Sequence, residues 1–168
     1  MRRLFLLRHA KSSWDEPGLA DRERPLASRG RKATKLIAAY LRDEGISPQL
    51  VLCSSSVRTR ETLRGLRLDE ADVRIEDDLY GASADELLAV VRHLPDEVDS
   101  VMLVGHNPGI EDLTIRLSGQ GEELARVRQK FPTAALATLE LDGSWRELAP
   151  GGAELVAFVK PKELSKRA

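Results

Sequence analysis

Two rhythms of apolar and polar positions alternate along this chain. Short apolar runs at 3–7 (four apolar residues after Arg3), 50–53 and 101–104 read as strands buried on both faces. Between them lie stretches with helical spacing. In 28–44, Ala33, Leu36, Ile37, Tyr40 and Leu41 fall at i, i+3, i+4, i+7 and i+8, one apolar stripe. Gly45 supplies a left-handed stop and Pro48 prevents resumption. With Ala27 before the stripe, Ser28 is the expected helix cap. A second helix is predicted over 57–66 and a weaker strand over 73–75. Ser83 and Glu86 have capping-box spacing and open a helix carrying Leu87, Leu88, Val91 and Leu94. Another helix is expected over 110–117. Beyond the loop Gly119-Gln120-Gly121 the pattern becomes strand-like at 135–141, 145–148 and 154–159, around a hairpin turn at Asp142-Gly143. Strands alternating with helices predict a three-layer α/β/α sandwich with a mostly parallel central sheet and C-terminal strands added at an edge.

Composition narrows the function classes. At 168 residues with no linker, repeat or low-complexity stretch, residues 1–168 read as a single domain. A formal net charge of −1 argues against a general nucleic-acid binder. One cysteine suits a reducing compartment, and no apolar run approaches the ~20 residues that span a bilayer. The expectation is a cytoplasmic monomer with neither membrane nor nucleic-acid partner. Charge is uneven, however. Residues 1–35 hold ten basic and four acidic side chains, whereas 69–99 hold eleven acidic and two basic. A positive rim of this kind draws in an anionic substrate.

The chemistry gathers where strands end. In open α/β sheets ligands bind outside the carboxyl ends of the strands. The first strand delivers Arg8 and His9, the second leads to Arg58, and the fourth delivers His106. Parallel strands would bring these four side chains to one edge. Guanidinium groups offer forked donors matched to phosphate oxygens and stay charged. A neutral imidazole can attack phosphorus while a second, protonated one holds an equatorial oxygen. No metal is expected: the chain has three histidines, none at a short ligand spacing, and no cofactor motif.

Leu7-Arg8-His9-Ala10, then Ser54-Ser55 with Arg58-Thr59 and Glu61-Thr62, then Val104-Gly105-His106-Asn107-Pro108 resemble the histidine phosphatase superfamily. Arg8 to Ser12, Arg24-Pro25-Leu26 and Arg29-Gly30 are similar to its SixA-like phosphohistidine phosphatases. The resemblance implies a phosphoglycerate mutase-like fold and a metal-independent phosphatase. His9 would become transiently phosphorylated, with Arg8, Arg58 and His106 around the phosphoryl oxygens. It further implies a substrate that is a phosphorylated protein, with phosphohistidine preferred, or a small phosphate ester.

Relatives in the mutase branch place a glutamate shortly before a Tyr-Gly-Ala-like stretch. Anchoring on Tyr80-Gly81-Ala82 puts Asp77 at that position as leaving-group acid, with Glu76, Asp21 or no residue as alternatives. A site with a poor acid favours phosphohistidine, because imidazole has a pKa of ~6.5 and leaves far more readily than an alkoxide. Two other readings carry less. Cys53 precedes Arg58 by four intervening residues, one short of the cysteine-phosphatase loop, and ends a buried strand where thiols are inert. A non-catalytic phosphohistidine-binding module that has lost turnover is the other, and the presence of all four pocket residues weighs against it.

Overall fold

The parallel centre of the sheet is built from the apolar runs. The computed structural model describes residues 1–119 and 121–166, so Gln120 of the glycine-rich loop lies outside the described residues. Strands β1 (Arg2–Arg8), β2 (Leu50–Ser54), β3 (Asp72–Glu76) and β4 (Ser100–Gly105) run parallel. Strands β5 (Leu136–Leu141) and β6 (Glu154–Val159) extend the sheet antiparallel, giving the order β3-β2-β4-β1-β5-β6. This is the expected three-layer α/β/α arrangement.

Side-chain alternation divides each central strand between two cores. Leu4, Leu6, Leu52 and Leu103 face one core with α3 (Ala84–Arg92) and α4 (Gly109–Leu117). Phe5, Leu7, Val51 and Val104 face the other with α1 (Ser28–Asp43) and α2 (Val57–Leu66). Continuous apolar runs are therefore required: a polar residue within Leu4–Leu7 of β1 or Val101–Val104 of β4 would be buried on one side or the other. β3, at the edge, is exposed along its length, which explains its weaker pattern.

Several local expectations change. Ser28 does not cap α1. Ala27 occupies the cap position without a side-chain bond, and Ser28 Oγ accepts from Arg31 instead. Residues 145–148 form no strand: Trp145 is fully buried and its Nε1 donates to the Val98 carbonyl at 2.7 Å. That anchor draws the chain across the sheet end, so β5 and β6 are joined by a long connection rather than a tight hairpin. Helices α5 (Glu122–Gln129) and α6 (Pro161–Ser165) arise where the apolar periodicity is weak, since α5 buries only Leu124 and Val127 and α6 only Leu164. The Ser83 capping box forms in both directions, at 3.0 and 3.2 Å.

One glycine ties a helix to the segment after β1. A Cβ on Gly30, in the first turn of α1, would lie 2.2 Å from the Lys11 carbonyl oxygen. Gly30→Ala is therefore expected to destabilise the fold by roughly 1–3 kcal/mol through overpacking. Helix propensity alone predicts the opposite sign, so urea unfolding separates the two. Turnover should fall by up to about 10²-fold, because the displaced segment carries His9 two residues earlier.

Candidate active site

Strand register brings the sequence-predicted residues level. Arg8 pairs with Gly105 across β1 and β4, so the next residues, His9 and His106, emerge side by side. The His9 backbone N–H donates to the Gly105 carbonyl at 3.0 Å, and the two ring centroids lie 5.2 Å apart, tilted by 55°. Arg58 enters from the first turn of α2, whose N-cap Ser56 accepts from the Thr59 N–H.

His9 is held as a nucleophile would be. Its Nδ1 lies 2.7 Å from the Ala10 carbonyl, which can only accept, so Nδ1 carries the proton and Nε2 keeps its lone pair. Burial, reinforced by the charges of His106, Arg58 and Arg8, lowers the His9 pKa to about 3 despite the favourable Ala10 bond. His106 is lowered to about 4, first by burial and then by Arg58, with Asp21 opposing. Both rings are neutral near pH 7. The His106 Nε2 is fixed 2.8 Å from the buried Ser54 hydroxyl at the end of β2.

The arginines retain donor capacity. Arg58 gives two N–H groups to Asp21, one to its carbonyl at 2.7 Å and one to Oδ2 at 2.9 Å. Tyr80 also bonds Arg58, which leaves at least two of its five donors. Arg8 donates from Nη1 to the Phe131 carbonyl at 3.0 Å, and its buried Nε–H has no partner among the described residues. Burial lowers the Arg8 pKa, with Glu111 opposing. Two cationic groups with unspent donors beside two neutral imidazoles suit a tetrahedral oxyanion.

Supporting contacts explain other motif residues. Thr62 Oγ1 accepts from the Ala10 N–H at 3.0 Å and donates to the Arg58 carbonyl at 2.7 Å, coupling the two sides of the cradle. Glu61 does not pair with Arg58; it accepts from the Leu26 N–H at 2.8 Å. The Phe131 carbonyl takes donors from both Arg8 and Asn107, each at 3.0 Å, and so pins the ends of β1 and β4 together. No side-chain pattern could have flagged it, because only its backbone oxygen is used.

The acidic residues separate. The Asp77 side chain is 81% exposed and pairs with Arg22 at 2.6 Å. Asp21 stands closer: it bonds Arg58, Arg24 and the Tyr80 hydroxyl, and the Tyr80 ring lies 5.4 Å from His106. The Tyr80 hydroxyl and then Arg58 hold the Asp21 carboxyl well below the usual carboxylate range, so it is ionised. Tyr80 was legible only as part of Tyr80-Gly81-Ala82. Arg24 stacks on Trp14 at 3.2 Å, leaving Trp14 71% exposed at the rim. Cys53 is buried in β2 and its thiol is pushed up to about 12, chiefly by burial.

Among the described residues no helix is long and apolar enough to cross a membrane. Comparison with known proteins agrees with the geometry. The family profile of the histidine phosphatase superfamily (branch 1) matches residues 4–87. An uncharacterized protein of Mycobacterium tuberculosis, Rv1276c, is 38% identical over 160 residues, covering 93% of this chain and all of that protein. A Nakamurella multipartitia protein provisionally assigned as the phosphohistidine phosphatase SixA superposes with a TM-score of 0.86 at 33% identity, over 95% of this chain and 96% of its own. A protein histidine phosphatase SixA complexed with tungstate shares the fold at a TM-score of 0.78 and 23% identity, over 96% and 99%. From strand ends to family profile these observations agree: the chain is a phosphatase belonging to the histidine phosphatase superfamily, branch 1.

Proposed function

We propose that this chain hydrolyses protein phosphohistidine by two displacements through His9. The observation that carries the reading is the pair of neutral imidazoles 5.2 Å apart, with the His9 proton committed to the Ala10 carbonyl. In the first step His9 Nε2 attacks phosphorus and the P–N bond of the substrate breaks. Its electron pair passes to the departing ring, which leaves as neutral imidazole when its other nitrogen carries a proton. In the second step a water oxygen attacks phospho-His9, the P–Nε2 bond breaks and phosphate departs, with the water proton passing to solvent. Arg8 and Arg58 offset the phosphoryl charge in both steps, and His106 holds an equatorial oxygen once the bound anion has favoured its protonation.

The choice of substrate rests on the acids. An ionised Asp21 at the mouth has no proton to give, and Asp77 is solvated on Arg22. An alkoxide leaving group would go unassisted, whereas a general acid is worth typically 10²–10⁴-fold. The same Asp21 charge favours a protonated distal nitrogen on a departing imidazole. The names of the SixA relatives point the same way.

A substrate panel tests this. kcat/KM for a phosphohistidine peptide should exceed that for a primary alkyl phosphate by about 10²-fold or more. Asp77→Asn should leave phosphohistidine turnover unchanged. Comparable rates on both substrates, or an Asp77→Asn enzyme that loses phosphohistidine hydrolysis, would overturn the assignment.

A further inference from the structure

A second concave surface adjoins the cradle and has a strongly one-signed lining. It is a cavity of about 550 Å³ whose walls carry Lys11, Arg29, Lys130, Lys160 and Lys162, together with Thr133, and no carboxylate. Elsewhere the surface arginines tend to be neutralised: Arg3 by Glu140, Arg22 by Asp77, Arg116 by Asp85, Arg126 by Glu123 and Glu163. Among the described residues none of the five cleft cations forms a salt bridge. Glu163 is the carboxylate whose charge reaches this wall, through Lys160, and it is already bonded to Arg126 at 2.6 Å.

The cleft and the cradle share backbone. Lys11 lies two residues beyond His9. Thr133 lies two residues beyond Phe131, whose carbonyl holds Arg8 and Asn107. The Ala134 N–H donates to the carbonyls of both Arg8 and His9 at 3.0 Å. A ligand lying in the cleft is thus within a few residues' reach of a phosphoryl group on His9.

We propose that this cleft docks a carboxylate-rich segment of the phosphorylated protein, adjacent to its phosphohistidine. The proposal rests on the phosphohistidine reading for its place in the reaction. The cations argue for such a segment. Four of the five are lysines, compact charges on long flexible stems, and they come from three separate segments of the chain. That arrangement meets a chain of mobile carboxylates rather than one rigidly forked anion. The acidic stretch at 69–99 would orient the same partner by repelling it from the opposite approach.

Two synthetic phosphohistidine peptides, alike except for flanking glutamates or glutamines, provide the test on the full chain. Lys130→Glu/Lys162→Glu changes two exposed cleft residues that touch none of the catalytic groups. The double variant is expected to raise KM for the glutamate peptide about 10-fold, with kcat unchanged. Turnover of the glutamine peptide and of a small aryl phosphate should not move. Added salt should erase the wild-type preference for the glutamate peptide. Equal KM values for the two peptides in the wild type, or no change on charge reversal, overturns the docking site. If neither phosphopeptide is turned over while the aryl phosphate is, the phosphohistidine reading fails instead. The cleft is then judged by fluorescence anisotropy of the labelled, unphosphorylated glutamate peptide. Binding weakened by the double variant supports the cleft, and binding equal in both proteins overturns it.

Discussion

Replacing His9 with alanine is expected to reduce turnover of every substrate by at least about 10⁴-fold while leaving the chain folded. The size follows from what is removed. In the proposed mechanism His9 Nε2 forms the bond to phosphorus, so without it the first displacement has no acceptor and residual rate comes only from the charge of the cradle. Folding should survive because the ring makes one hydrogen bond, to the Ala10 carbonyl, whereas the chain around it is held by Thr62 Oγ1 and the Gly105 carbonyl. Rapid quench with a labelled phosphodonor gives the sharper measurement. Wild type should accumulate an acid-labile, base-stable label and His9→Ala none. A variant that still forms the label, or still turns over near the wild-type rate, would place the nucleophile elsewhere. Cys53 is no substitute: with its thiol buried and pushed up to about 12, Cys53→Ala should leave the label intact.

The site was legible to the extent that it depends on strand ends. Arg8, His9 and His106 follow directly from apolar runs that stop abruptly, and parallel pairing then fixes their neighbours through register. Arg58 was legible because a helix begins three residues after the end of β2. The acids were not legible, because Asp21 and Asp77 sit in short 3-10 turns whose placement depends on partners distant in sequence, Arg58 and Tyr80 for one and Arg22 for the other. The tail failed differently. Trp145 and Leu148 bracket a short segment that reads as strand beside the 135–141 run, but a fully buried indole with its N–H on Val98 demands a turn there. Tertiary burial overrode the local period, as it does where one large side chain has a single cavity to fill.

Acidification should destabilise the empty protein steeply in a window set by the two imidazoles. Unfolded histidine takes up a proton near pH ~6.5. In the fold, burial holds His9 neutral down to about 3 and His106 down to about 4. Below ~6.5 the unfolded state therefore binds up to two more protons than the folded one, and stability falls as pH falls. Once both unfolded rings are charged the slope is roughly 2.7 kcal/mol per pH unit, two groups at ~1.36 each. The decline continues until the folded rings themselves titrate, and only beneath the ordinary carboxylate range does loss of the Asp21 contacts add to it. Urea midpoints measured between about pH 8 and pH 5 should trace this curve. His9→Ala should lose about half of the slope and be more stable than wild type at the acidic end. Inorganic phosphate should reverse the trend, because an anion between the rings favours their protonated forms; its stabilising effect should grow as pH drops toward 5. A midpoint that stays flat from neutrality to pH ~5 would show that the rings titrate normally and are not held neutral by the cradle.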